Sequence, residues 1–361
     1  MKKYLAVPIL LLWAVLAVLA WTGPAQASSD AERRPLAQMP QFSADAVLSG
    51  EFMADFEDYT LDQFPLRDGF RQLKSLFHYN VLSQKDNNGI YIADGYAVKQ
   101  EYPLDENSLD HALERFQHLY EKYLTDCDIH MAVVPDKGFY LAQDAGQLAM
   151  DYEALFSRIR EGMPWAEYVD LTGYLTGEDY YRTDTHWRQE RLLDAAGALC
   201  DALDIPVPKA EDYTLTTLER PFYGVYYGQA ALPMELDELC LLESEMLLNC
   251  TVYDYESGKT TQVYDREKLE GKDLYEVFLS GSRSLLTIEN PAVDNGRELI
   301  VFRDSFGSAM VPLLVQGYER ITLVDIRYIQ IDVMDRFVEF SDQDVLFLYS
   351  TLVLNNSETI K

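Results

Sequence analysis

The segment Tyr180-Tyr181-Arg182-Thr183-Asp184-Thr185-His186-Trp187 places a histidine two residues after a carboxylate, with an indole directly behind it. Side chains of an extended chain alternate with a period of two, so Asp184 and His186 can point to the same side. That geometry suits a carboxylate orienting an imidazole, or two metal ligands. A metal site needs further ligands, and the remaining histidines are scattered, with no H-E-x-x-H pattern. Asp128 and His130 repeat the spacing at the start of a predicted core strand, so the pair alone is not diagnostic. His111 and His118 lie seven apart on a predicted helix and read as solvated or packing residues.

The partner for the first option is Glu298-Leu299-Ile300-Val301-Phe302-Arg303-Asp304-Ser305-Phe306-Gly307, an apolar run that ends abruptly in Asp-Ser. Ser305 then follows the carboxyl end of a predicted strand and precedes a helix, where open α/β sheets bind ligands. Helix amides at such a turn can stabilise an oxyanion. Serine is a poor nucleophile without a base in hydrogen-bond reach, and His186 is the natural base, with Asp184 holding its tautomer. Asp304 is not the expected base, because adjacent residues at a strand end point apart. The expectation is a Ser305–His186–Asp184 triad; the alternative is a helix-capping serine and a structural Asp-x-His pair. Lys137 follows another predicted strand, either facing the site to bind a substrate carboxylate or carbonyl, or lying on the surface.

These residues need elements to position them. Ser28–Ala46 is polar and aperiodic and reads as a linker. A helix is expected after Pro65, with Phe70, Leu73, Leu76 and Phe77 as its apolar stripe. Ile90–Val98 reads as a hairpin turning at Asp94-Gly95. Asn107 and Ser108 can cap a helix striped by Leu109, Leu113, Phe116 and Leu119. Strands are expected at 129–134 and 168–171, with helices at 152–159 and 190–203 around them. After residue 287 the alternation resumes: strand 299–302, helix 308–315, strand 321–324, helix 333–340, strand 345–348. That rhythm predicts a parallel sheet covered by helices. Residues 205–287 break it and read as a mixed, β-rich insertion, with strands at 248–255 and 260–264 around Ser257-Gly258. The tyrosines there could stack on sugar rings or simply pack a core.

The length of 361 residues and 48% hydrophobic content allow a large core. A net charge of -30 repels nucleic acid and anionic membrane surfaces, so a phosphate-backbone binder is excluded. Met1-Lys2-Lys3, the apolar run Leu5–Trp21 and the A-x-A pattern Ala25-Gln26-Ala27 read as an export signal over residues 1–27, or as an uncleaved N-terminal membrane anchor. The body of the protein is therefore expected outside the cytoplasm. Cys127, Cys200, Cys240 and Cys250 have no C-x-x-C spacing, which argues against a zinc cluster. They are either free thiols or disulfides, with Cys240–Cys250 the first pairing to consider.

Thr183-Asp184-Thr185-His186-Trp187 with Arg303-Asp304-Ser305-Phe306 resembles the DHHW and AlgJ/AlgX-like families of exported, SGNH-hydrolase-type bacterial proteins. The resemblance extends to Asp62-Gln63-Phe64-Pro65-Leu66-Arg67, Val134-Pro135-Asp136-Lys137 and Asp325-Ile326-Arg327-Tyr328. Thr185 stands where the family name implies a second histidine. The resemblance implies a three-layer, SGNH-like α/β domain over residues 48–361. It also implies O-acetylation of an exopolysaccharide through a seryl ester, with Asp184, His186 and Ser305 in the triad roles. The oxyanion donors are expected at Gly281 and the Ser305 amide, with Lys137, Trp187 and Arg303 on the substrate side. The resulting expectation is an extracytoplasmic O-acetyltransferase or acetylesterase acting on a polysaccharide, without metal or organic cofactor. A non-catalytic glycan-binding or assembly protein on the same fold is the alternative.

Overall fold

The computed structural model describes residues 2–361; Met1, the first residue of the expected leader, lies outside them. The chain forms two compact units, one reaching to Asn88 and including Tyr227–Met234, the other formed by Gly89–Tyr226 and Glu235–Lys361.

In the first unit a helix runs Lys2–Thr22. Among the described residues no helix is long and apolar enough to cross a membrane. The helix expected after Pro65 runs Arg67–Leu76, but its stripe does not reach a core: Leu73 is 62% exposed and Phe77 49%. Charge holds this region instead. Arg34 grips both oxygens of Asp62, at 2.8 and 2.6 Å, and Arg67 pairs with Glu32 at 2.7 Å. Gln63 clips the chain by accepting from the Gln26 amide and donating to its carbonyl.

The second unit is built on eight strands: β1 (Asp128–Val134), β2 (Glu167–Val169), β3 (Thr251–Asp254), β4 (Lys259–Thr261), β5 (Leu285–Glu289), β6 (Glu298–Arg303), β7 (Arg320–Val324) and β8 (Asp344–Ser350). Their order in the sheet is β4-β3-β5-β7-β6-β8-β1-β2. From β7 to β2 the strands are parallel, as expected. The other edge departs from the expectation: β5 lies antiparallel to β7 and β3, and β4 returns antiparallel on β3. The hairpin around Ser257-Gly258 thus extends the main sheet. The short loop 255–258 permits that pairing directly, whereas parallel strands need a crossover.

Helices cover both faces of the central strands, so β1, β6 and β8 are buried almost throughout. One layer joins Ala132, Val134, Val301 and Leu348 to the helix Leu193–Ala202. The opposite layer joins Met131, Val133, Phe302 and Phe347 to the helices Glu106–Leu119 and Tyr152–Gly162. Asp105 caps the first of these, ahead of the expected Asn107 or Ser108, because its carboxylate reaches the Ser108 amide at 3.0 Å. The Asp94-Gly95 turn forms as expected, both residues having positive φ. The helix expected at 333–340 is only a 3₁₀ stretch, Ile331–Arg336.

All four cysteines are free thiols, so the Cys240–Cys250 pairing is not made. Cys240 opens a strand and touches the Thr217 hydroxyl at 3.4 Å, while Cys250 is buried at the end of a short helix.

Candidate active site

The site forms at the carboxyl edge of β1, β6 and β8, whose register aligns Phe302 with Phe347 and Ser350 with Val134. Two buried carboxylates stitch these strand ends. Asp304 Oδ2 accepts from the Ser350 amide at 2.7 Å and its hydroxyl at 2.6 Å, and Oδ1 accepts from the Phe306 amide at 3.0 Å. Asp136 accepts from Thr351 at 2.7 Å and Tyr152 at 3.0 Å. Burial pushes the Asp136 carboxyl above the usual carboxylate range, against the pull of those bonds. Asp304 thus fixes the turn that carries Ser305.

The Asp184/His186 loop is closed at its base by an antiparallel bridge between Tyr180 and Trp187 and by a Tyr181 amide to His186 carbonyl bond of 3.0 Å. The loop presents both side chains inward. Asp184 is fully buried, and its Oδ1 accepts from His186 Nδ1 at 2.6 Å and from the His186 amide at 3.1 Å. Its Oδ2 accepts from the Val225 amide at 2.8 Å. His186 Nε2 lies 2.8 Å from Ser305 Oγ. A carboxylate only accepts, so Nδ1 carries the proton and Nε2 offers its lone pair to the serine hydroxyl. The structure therefore brings Asp184, His186 and Ser305 into the Asp–His–Ser order that general-base activation of a serine needs. Both imidazole nitrogens are engaged, leaving neither for a metal. The other Asp-x-His pair does not repeat this: His130 is buried, its Nδ1 has no partner among the described residues, and Nε2 lies 3.9 Å from Glu167.

Of the amides in the Ser305 turn, Phe306 and Gly307 donate to Asp304. The Ser305 amide has no such partner among the described residues. Gly281 does not fit the donor role expected of it. Its φ of 80° turns its amide back onto the Phe278 carbonyl at 3.1 Å.

The other expected substrate-side residues hold the site from within. Trp187 is fully buried and donates from Nε1 to the Phe306 carbonyl at 3.0 Å, joining the histidine loop to the serine turn. Lys137 is also buried, contrary to the surface reading. Its Nζ donates to the Tyr181 carbonyl at 2.8 Å and lies 5.2 Å from the Tyr226 ring centre. Burial pushes its ammonium down to about 7, against the attraction of Asp237, Asp184 and Asp136. Arg303 is fully buried, donating to the Asp304 carbonyl at 3.2 Å and Ser308 Oγ at 3.1 Å. Burial lowers its guanidinium too.

Three contributors were not anticipated, and all come from the segment expected as an insertion. Asp237 accepts from the Arg182 amide at 2.7 Å, the Thr183 amide at 2.8 Å and the Thr183 hydroxyl at 2.5 Å. Burial raises its carboxyl above the usual range. Gly224 packs so closely on Thr183 that an added Cβ would sit 2.2 Å from the Thr183 carbonyl carbon. Tyr275 stacks on the His186 ring, with centres 3.8 Å apart and planes 10° from parallel. Only the Tyr-Gly composition of 222–228 hinted that a backbone approached closely there.

With this geometry in view, the DHHW protein family model matches residues 171–324, which span the histidine loop and the serine turn. No curated protein sequence matches the chain significantly. Among solved structures, a DHHW family protein from Eubacterium siraeum DSM 15702 aligns with a TM-score of 0.60 at 24% identity, over 76% of this chain and 95% of that one. Bacillus cereus PatB1 aligns at 0.57 and 19% identity, over 75% of this chain and 98% of that one. PatB1 with a sulfonyl adduct aligns at 0.58 and 18%, over 73% and 95%. The resemblance to DHHW proteins is thereby shown, as is an α/β fold with a mostly parallel central sheet; at these identities the structural likeness speaks to fold.

Proposed function

We propose that the protein is an extracytoplasmic serine O-acetyltransferase or acetylesterase acting on a polysaccharide. The observation that carries this reading is the continuous relay from Asp184 Oδ1 to His186 Nδ1 at 2.6 Å and from His186 Nε2 to Ser305 Oγ at 2.8 Å. In the first step Ser305 Oγ attacks the acetyl carbonyl while His186 takes its proton. The tetrahedral oxyanion is met by the Ser305 amide, and collapse expels the leaving group of the acetyl donor with the proton from His186. The acetyl group is then an ester on Ser305. In the second step a sugar hydroxyl, or water, gives its proton to His186 and attacks that ester; collapse breaks the bond to Ser305 Oγ, and His186 returns the proton to it, restoring the serine. Asp184 stays ionised and stabilises the imidazolium formed in each step. The polysaccharide acceptor and the location outside the cytoplasm rest on the family resemblance and on the leader-like N-terminus.

The test is incubation of the protein with p-nitrophenyl acetate, beside Ser305→Ala, read by intact mass and by nitrophenol release. The expected result is a single acetyl adduct on the parent and none on the variant. A folded parent with neither adduct nor turnover overturns the catalytic reading and leaves a glycan-binding protein on this fold.

A further inference from the structure

Tyr275 occupies a position that the relay alone does not require. Its ring lies flat on the imidazole of His186, and Phe306 closes on that imidazole at 5.1 Å with a tilt of 54°. Its hydroxyl is buried and has no hydrogen-bond partner among the described residues. A buried, unpartnered hydroxyl costs about 1–3 kcal/mol, so the hydroxyl does not explain the residue's placement. The ring face does. An aromatic face carries negative quadrupole charge and attracts a cation, an attraction that grows when water is excluded. His186 is neutral before attack and cationic once it has taken the serine proton. A π face on the imidazole therefore favours the state formed during reaction over the resting one, and only such differential interactions speed the chemical step.

The ring is held firmly for this task. Asp273 caps the 3₁₀ turn Leu274–Val277 by accepting from the Tyr275 amide at 3.1 Å. Phe278 and Tyr181 pack on the ring at 5.1 and 6.4 Å. The charged groups around the stack are Asp184, Asp304, Arg303 and Asp273, with Lys137 beyond Asp184.

We infer that Tyr275 is a positioning residue for His186, its ring face holding the imidazole between Asp184 and Ser305 and stabilising the imidazolium. This rests on the acyl-transfer reading above, but its test does not depend on turnover. In the full chain, Tyr275→Phe keeps the face and removes only the hydroxyl, whereas Tyr275→Leu keeps an apolar contact without the face. The surrounding charges are the same in both. The readout is the pH midpoint of the His186 imidazole proton resonance, assigned by its loss in His186→Gln. The midpoint is expected to fall in Tyr275→Leu by a few tenths to about one pH unit, the span of a cation–π contact, and to stay at the parental value in Tyr275→Phe. In the acetyl ester assay, Tyr275→Leu should lower kcat about 3- to 30-fold with KM unchanged, and its acid limb should move to lower pH. Tyr275→Phe should restore parental kcat. A Leu midpoint equal to or above the parent's overturns the inference, as does a Phe variant that shifts as far as Leu. Absence of turnover in the parent overturns the functional reading instead, and the resonance still reports on the stack.

Discussion

Gly224→Ala is the sharpest test of how the site is assembled. A Cβ at this position would lie 2.2 Å from both the carbonyl carbon and oxygen of Thr183, and 2.3 Å from the Asp184 amide nitrogen. Ordinary carbon contacts lie at about 3.5 Å, so the chain must yield by more than about 1 Å. The atoms in the way are backbone, which has no rotamer to move into. Thr183 is itself pinned by Asp237 through its amide and hydroxyl, and it accepts the Gly224 amide on Oγ1 at 3.0 Å. Displacement therefore passes to Asp184 and, two residues on, to His186. A shift of about 1 Å in a reacting group can cost about 100-fold, and the 2.8 Å contact to Ser305 has little slack. Gly224→Ala should therefore lower the rate of Ser305 acetylation by p-nitrophenyl acetate by at least about 100-fold. Circular dichroism and thermal unfolding would establish that the variant is folded. A folded variant that acetylates at the parental rate refutes the claim that the close packing of Gly224 on Thr183 sets the position of the triad.

Other expectations follow from single contacts. Asp184→Asn keeps the volume but places an amide where two backbone amides and an imidazole N–H are accepted, which favours the wrong tautomer; kcat should drop by roughly 10⁴ while the fold persists. Trp187→Phe removes the indole donor that ties the histidine loop to the Phe306 carbonyl, and denaturant unfolding should show a loss of about 1 kcal/mol; an unchanged midpoint would count against that bond as a tie between loop and turn. Asp62 is held down to about 2, chiefly by its hydrogen bonds from Arg34. A depressed acid contributes stability that is complete above its unfolded value near about 4 and is lost as pH falls toward 2. Asp62→Asn should thus show a smaller fall in unfolding temperature between pH 6 and pH 2 than the parent does. With four free thiols, reducing agent should leave the unfolding midpoint unchanged; a drop on reduction would mean that a disulfide forms.

Much of the central sheet could be read from the chain because its signals are local. β6 and β8 are short apolar runs that end at small or polar residues, and the helices between strands carry their own stripes. The Asp-x-His pair and the Asp-Ser after β6 were legible for the same reason: each is a pattern of residue type and spacing. Asp128-x-His130 shows the limit of such patterns, since the same spacing there yields a buried imidazole facing Glu167 and no relay.

What only the tertiary structure decided is which groups surround that relay. His186 and Ser305 stand 119 positions apart, and no local propensity specifies their separation of 2.8 Å. Asp237 reaches Thr183 across 54 positions, and the Val225 amide reaches Asp184 across 41. Nor did composition reveal that Lys137 and Arg303 are buried, because charged residues are mostly exposed and the carbonyl that holds Lys137 belongs to Tyr181, 44 positions away. Sequence determines residue chemistry and the period of each element. The partners of a buried polar group depend on which segments the folded sheet and its loops bring within about 3 Å of it.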